Sequence, residues 1–276
     1  MERKVLVIDV TKCVACYNCF IACKDEFVDH SWLPYSEAQP DMGPAWISVR
    51  EIERGQFPKV KVCYVPKLCV QCENPPCSSI AQGGAVWQRE DGVVIIDPQK
   101  SKGQRQIVKA CPYGNIYWNE ELEIPQKCTF CAHLLDQGWK EPRCVEVCPT
   151  QALRFGRREE LVNVITQAEE LHPEYKTKPS VYYIGLPKTF IAGTAYCNAS
   201  NDCIEGARVL LIKKPGGEIF TTATDNYGDF EFEGFKAGST YSLKIEAEGY
   251  HPVIIEDIFN EKDVHLRDIY LRKRLE

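Results

Sequence analysis

The spacing of apolar and polar positions divides the chain into three stretches. Up to about Phe155 the regular patterns are short. Residues 5–10 and 93–97 alternate or run apolar and predict strands. Each strand leads into a similar turn, Asp9-Val10-Thr11-Lys12 in the first case and Asp97-Pro98-Gln99-Lys100 in the second. A strand–turn unit that occurs twice suggests an internal duplication. Across 157–171, Leu161, Val164, Ile165, Ala168 and Leu171 fall at helical spacing and predict a helix packed on the first domain. Pro173 and Pro179 then mark a linker. From about Thr189 the period becomes two, and 207–213, 218–224, 229–232, 241–247, 253–258 and 264–271 predict strands. Pro215-Gly216-Gly217, Asn226-Tyr227-Gly228 and Ala237-Gly238 supply turns between them. Short strands at this spacing predict a β-sandwich. The expected fold class is α+β, with a cysteine-rich domain at 1–156, a helix and linker at 157–188 and an all-β sandwich at 189–276.

Composition changes this picture at one point. The chain has 276 residues, 44% hydrophobic, and a formal net charge of −6. That is enough apolar content for a core. The weakly acidic balance argues against a nucleic-acid surface, which needs a clustered basic stripe. No stretch approaches the roughly 18 apolar residues of a membrane-spanning helix. The apolar run within Met1–Asp9 is too short for a signal peptide, so a cytoplasmic location is expected. Cysteine is the outlier: there are 15, and all but Cys197 and Cys203 lie before residue 150. Clustered cysteines in a cytoplasmic chain point to metal rather than to a disulfide framework.

The first run is Cys13-x2-Cys16-x2-Cys19-x3-Cys23. Three thiolates at this spacing wrap a cubane corner, and the fourth ligates a second cluster, as in two-cluster bacterial ferredoxins. Cys128-x2-Cys131-x12-Cys144-x3-Cys148-Pro149 is the complementary run. The pairing rule assigns Cys13, Cys16, Cys19 and Cys148 to one cluster, and Cys23, Cys128, Cys131 and Cys144 to another. A third group, Cys69-x2-Cys72-x4-Cys77, lacks one ligand, which Cys111 completes. Zinc sites use paired C-x2–4-C spacings, which fit the runs poorly. A colourless structural zinc scaffold is the competing reading.

These groups in order, with Asp91-Gly92-x4-Asp97 and Cys111-Pro112-Tyr113-Gly114, resemble a known family. It comprises the four-cluster ferredoxin-like β subunits of molybdenum and tungsten bis-pterin oxidoreductases, among them dimethyl sulfoxide, polysulfide and nitrate reductases. The resemblance covers residues 1 to about 160. The family pattern would place further cysteines at Ala81, Ser101, Gln104 and Ile107, and all four are absent. Under cross-ligation those positions form one complete cluster, so the resemblance implies three remaining [4Fe-4S] clusters. It also implies a non-catalytic electron-transfer role alongside a large molybdopterin catalytic subunit, in a heterodimer or higher assembly.

The C-terminal stretch carries Glu205-Gly206-Ala207-x-Val209, Thr224-Asp225-x2-Gly228-x-Phe230-x-Phe232 and Ile245-Glu246-Ala247-x-Gly249-Tyr250. It resembles the transthyretin-like or carboxypeptidase-regulatory sandwiches. The two halves together resemble the small subunits of the pyrogallol–phloroglucinol transhydroxylase group, with the resorcinol hydroxylases and catechol dehydroxylases. That resemblance implies a polyhydroxylated aromatic substrate on the partner. The alternative is a subunit of another redox complex, acting on formate, nitrate or sulfur compounds, without phenol chemistry.

Other polar residues are expected to do less. Lys24, Lys67, Lys127 and Arg143 adjoin ligand positions and could offset cluster charge, but each taken singly reads as an ordinary surface residue. Cys63 reads as a small buried residue, and Cys197 and Cys203 as non-functional. His133 reads as solvated or locally satisfied. No Ser/His/Asp set, phosphate loop or carboxylate pair suggests a catalytic site.

Overall fold

The structure is a computed structural model that describes residues 3–274. Met1, Glu2, Leu275 and Glu276, at the ends of the expected domain ranges, lie outside the described residues. The chain divides into two compact units, Met1–Ile52 with Cys63–Leu186, and Glu53–Val62 with Pro187–Glu276. No helix among the described residues is long and apolar enough to cross a membrane.

In the first unit β1 (Lys4–Asp9) precedes helix α1 (Asn18–Phe27). The paired strands β2 (Ile47–Gln56) and β3 (Lys59–Leu68) follow, with their tip in the second unit. Next come α2 (Pro76–Ile80), β4 (Val86–Gln88), β5 (Val94–Ile96), α3 (Gln106–Lys109), β6 (Tyr117–Asn119) and β7 (Ile124–Gln126). The unit ends with α4 (Ala132–Asp136), α5 (Arg143–Glu146), β8 (Leu153–Arg157), α6 (Val162–Ile165), β9 (Glu169–Glu170) and β10 (Val181–Ile184). One sheet has the order β8-β1-β10-β9, with β1 and β10 parallel. Both faces of β1 are covered: Leu6 and Ile8 join the main core, while Val5 and Val7 pack with Tyr182. A strand buried on both faces explains the unbroken apolar run 5–8.

The expected helix over 157–171 is reduced to the single turn α6. Its apolar positions Leu161, Val164, Ile165 and Ala168 do pack, against Val5, Val7 and Tyr182. The β-branched residues Val162, Val164, Ile165 and Thr166 lose side-chain freedom in a helix. Downstream, Glu169 and Glu170 pair with Tyr183 and Tyr182 of β10. Tertiary pairing thus takes the end of the segment away from the helix.

The second unit contains β11 (Thr189–Cys197), β12 (Arg208–Lys214), β13 (Ile219–Ala223), β14 (Asp229–Phe235), β15 (Thr240–Glu246), β16 (Val253–Phe259) and β17 (Val264–Leu271). Sheets β14-β11-β17 and β13-β12-β15-β16 share one apolar core. Alternation supplies its inward residues, such as Val209 and Leu211 of β12 and Leu243 and Ile245 of β15. The turn before β14 has a local cause. Asp225 Oδ1 accepts the N–H groups of Tyr227 and Asp229, each at 2.9 Å. Gly228 has φ +77°, and a Cβ there would stand 2.6 Å from the Ala195 carbonyl oxygen, so glycine alone fits.

Candidate metal centres

Two matching turns occur, one leading into the Cys13 run and the other into the segment 101–111, where Cys111 is the one cysteine. Asp9 Oδ1 accepts the Thr11 N–H at 3.2 Å, and Lys12 pairs with Asp9 at 3.6 Å. After β5, Asp97 Oδ1 accepts the N–H groups of Gln99 (2.9 Å) and Lys100 (3.1 Å), and Lys100 pairs with Asp97 at 3.6 Å. The duplicated unit is therefore built by the same side-chain chemistry. After the first turn, Ala15 (φ 52°) and Tyr17 (φ 59°) coil the chain around Cys16. Left-handed non-glycine residues cost roughly 1–2 kcal/mol each, so surrounding structure must hold this loop. Helix α1 then carries Cys19, Ala22, Cys23 and Phe27 on its buried side. Cys19 and Cys23 stand one helical turn apart, each able to serve a different centre.

Cys13, Cys16, Cys19 and Cys148 line one cavity of about 330 Å³, counting its open mouth, with apolar walls from Val14, Val49, Pro66 and Leu153. Cys69, Cys72, Cys77 and Cys111 line a second of the same size, walled by Val70, Val94, Pro112 and Ile116. Neither lining includes a carboxylate, imidazole or amine. Cys23, Cys128, Cys131 and Cys144 gather in the interior, where Cys131, Cys128 and Cys23 all act electrostatically on Cys144. Among the described residues no three His, Cys, Asp or Glu side chains converge as a single metal ion requires. The thiols of the Cys13 and Cys69 sets instead surround a space, as a four-iron cube needs.

Burial pushes the thiols of Cys19, Cys72 and Cys128 up to about 12 and that of Cys77 to about 11. Iron must therefore displace protons to bind thiolate here. Polar N–H groups oppose the burial effect. Gln39 Nε2 lies 3.4 Å from Cys23 Sγ, the Phe130 N–H donates to Cys128 Sγ at 3.4 Å, and the Asn115 N–H donates to Cys111 Sγ at 3.5 Å. Such bonds stabilise charge on the sulfur. The donor sets and their surroundings thus fit iron–sulfur clusters.

The four positions without cysteine are filled by ordinary packing. Ile107 is fully buried among Cys77, Val86, Val94, Ile96 and Ile116, and Ala81 packs against the same group. Ser101 is also fully buried. The Gln104 side chain accepts the Gln82 N–H at 2.9 Å and donates to the Lys100 carbonyl at 2.7 Å. An aliphatic core and an amide clasp occupy this site.

Lys127 departs from its expected surface role. It is 2% exposed, and its Nζ donates to the carbonyl oxygens of Val94 and Cys128. Lys24, Lys67 and Arg143 remain only partly buried. His133 is buried and satisfied on one side: Nε2 bonds Glu26 at 2.8 Å, and the ring stacks on Trp32. Cys63 is half-buried. Cys197 and Cys203 are free thiols; Tyr196, not Cys197, bridges Cys203, so these two cysteines point to opposite faces. Sequence reasoning missed Gln71, which is fully buried between two cysteine groups. Its only signal was its place inside Cys69-Val70-Gln71-Cys72.

A model of the 4Fe-4S dicluster domain matches residues 60–158, and one of the carboxypeptidase regulatory-like domain matches residues 191–271. The chain is 40% identical to the pyrogallol hydroxytransferase small subunit of Pelobacter acidigallici, over 98% of this chain and 100% of that one. It is 30% identical to a tetrathionate reductase subunit of Salmonella typhimurium, over 69% of this chain and 75% of the other. It is 33% identical to a sulfite dehydrogenase subunit of Allochromatium vinosum, over 68% and 85%. With relatives matched along most or all of their length, and cysteine groups in the family's order, the chain belongs to the iron–sulfur β subunits of the dimethyl sulfoxide reductase type of molybdenum oxidoreductases and is an electron-transfer subunit.

Proposed function

We propose that this chain carries three [4Fe-4S] clusters and wires a molybdenum bis-pterin catalytic subunit that acts on hydroxylated aromatic compounds, as a transhydroxylase, hydroxylase or dehydroxylase. The observation that carries the aromatic reading is the end-to-end similarity to a pyrogallol hydroxytransferase small subunit, C-terminal domain included. The cluster reading is supported by the cysteine sets. Cys13, Cys16, Cys19 and Cys148 would hold one cluster, Cys23, Cys128, Cys131 and Cys144 the second, and Cys69, Cys72, Cys77 and Cys111 the third. The clusters, when bound, supply one-electron transfer. The apolar walls shield the buried thiolates such as Cys19, Cys72 and Cys77 from water, while Cys16 stays exposed. The N–H groups of Phe130 and Asn115 and the side chain of Gln39 stabilise sulfur charge. The reacting groups for the aromatic ring are assigned to the large subunit.

The test is anaerobic purification of the chain with its large subunit. About 12 iron and about 12 acid-labile sulfide per chain are expected for three four-iron clusters, with molybdenum and activity on a polyhydroxylated benzene. Iron near four or eight would sink the cluster count. A second reading, electron transfer in a complex without phenol chemistry, draws on the relatives named for tetrathionate and sulfite. Turnover of an inorganic sulfur substrate, with none of phenols, would favour it.

A further inference from the structure

Lys127 places a positive charge where the protein itself offers no negative one. The side chain is 2% exposed, and both of its acceptors are neutral carbonyls, those of Val94 and Cys128. No carboxylate among the described residues pairs with it. Burying an ammonium this way costs several kcal/mol unless an opposite charge lies close. The two acceptors show where that charge would be. Cys128 belongs to one cysteine set, and Val94 lines the cavity of another, that of Cys69, Cys72, Cys77 and Cys111. Gln71 spans the same gap, accepting the Val94 N–H at 2.8 Å and donating to the Cys128 carbonyl at 2.7 Å. The Lys127 charge also opposes the effect of burial on both Cys77 and Cys128.

On the three-cluster reading proposed above, each set surrounds an anionic cluster. That cluster gains one negative charge with each electron it accepts from a neighbouring cluster or from the catalytic subunit. A fixed cation stabilises the reduced form more than the oxidised form. We infer that Lys127 is the shared counter-charge of the two centres at Cys69/Cys72/Cys77/Cys111 and Cys23/Cys128/Cys131/Cys144. It raises the reduction potential of both and leaves the centre at Cys13/Cys16/Cys19/Cys148 unmoved. Lys127 therefore biases electrons entering the chain towards this pair. Lys127 acts through its charge on the centres and is a positioning residue, not a ligand.

The experiment is a redox titration followed by EPR on the complex with its large subunit, comparing wild type with Lys127→Gln, Lys127→Met and Lys127→Arg. Iron content of the wild type is read first, because fewer than three clusters would overturn the cluster reading rather than this one. With three clusters present, the neutral variants are expected to lower two midpoint potentials and leave the third in place, while Lys127→Arg restores both. One of the two shifted signals must be the signal lost in Cys111→Ala. No shift in a fully iron-loaded neutral variant overturns the inference, as does an equal shift of all three. Should the neutral variants lose iron, loss confined to these two centres and rescued by Lys127→Arg supports the role. Loss from all three, or no rescue, overturns it.

Discussion

The side-chain amide of Gln71 donates to the carbonyl oxygen of Cys128 at 2.7 Å, joining residues 57 positions apart in the chain. Its other end accepts the Val94 N–H at 2.8 Å. One fully buried glutamine therefore ties two cysteine groups to the β5 strand. Gln71→Ala would leave the buried Val94 N–H short of its acceptor, at about 1–3 kcal/mol, and the Cys128 carbonyl with Lys127 as its remaining side-chain donor. Iron release by a chelator should be faster from the two centres that share this contact, and unchanged from that of Cys13. Optical and EPR time courses of the complex check this. Uniform release from all three centres would sink the idea.

Under the proposed cross-ligation, distant cysteines would behave as one site. Cys148→Ala should remove the centre built on Cys13, Cys16 and Cys19, although it follows them by most of the first unit. Cys111→Ala should remove the centre of Cys69, Cys72 and Cys77 and spare the others. In each variant iron should fall from about 12 to about 8 per chain. Iron analysis and EPR decide it; loss of the Cys13 centre in Cys111→Ala would show the pairing to be wrong.

Ile107 stands at one of the four positions that lack a cysteine, and its side chain fills a small core with Cys77, Val86 and Ile116. Truncation to Ala should cost about 2–5 kcal/mol through the cavity it leaves. Urea denaturation under anaerobic conditions is the measurement. A loss below about 0.5 kcal/mol, the range of ordinary surface substitutions, would mean that Ile107 carries none of the packing.

In the second unit, Glu231 pairs with Lys59 at 3.0 Å and with Lys61, and Glu233 pairs with Arg54 at 2.6 Å and with Lys61 at 2.8 Å. Burial alone would raise Glu231, but hydrogen bonds from Lys61 and Lys59 hold it below the usual carboxylate range. A folded-state value below the unfolded one, about 4.3, stabilises the fold above that pH. The stability is lost as pH falls through the lowered value. Glu231→Gln should therefore cost up to about 1 kcal/mol at pH 7, and its difference from wild type should shrink in acid. Hydrogen exchange at β11 and β14 in urea, between pH 7 and pH 3, follows this unit apart from the acid-labile centres. A deficit that grows in acid would contradict the assignment.

Much of this protein was legible from residue order alone. Ligand spacing within a loop is a local property, so Cys13-x2-Cys16-x2-Cys19 announces its chemistry without the fold. Alternation likewise located six strands of the second unit, each within three residues of its observed ends. The strand β11 escaped because it lies centrally between β14 and β17, buried along most of its length, with Gly193 packed against Phe230. Burial on both faces erases alternation. The pair β2 and β3 was also missed. Its tip, 53–62, belongs to the second unit, so its partners there are remote in sequence.

What tertiary structure alone decided is the electrostatic setting of the cysteines. A lysine next to a cysteine in sequence can face solvent or the interior, and the choice depends on which segments close over it. For Lys127 they are β5, through Val94, and the Cys128 loop, so a residue that reads as surface charge becomes a buried cation between two cysteine sets. The proposed ligands could be read from sequence because ligation needs only the right atoms at the right spacing. The surroundings that tune them depend on burial and on distances between remote segments, which only the folded chain sets.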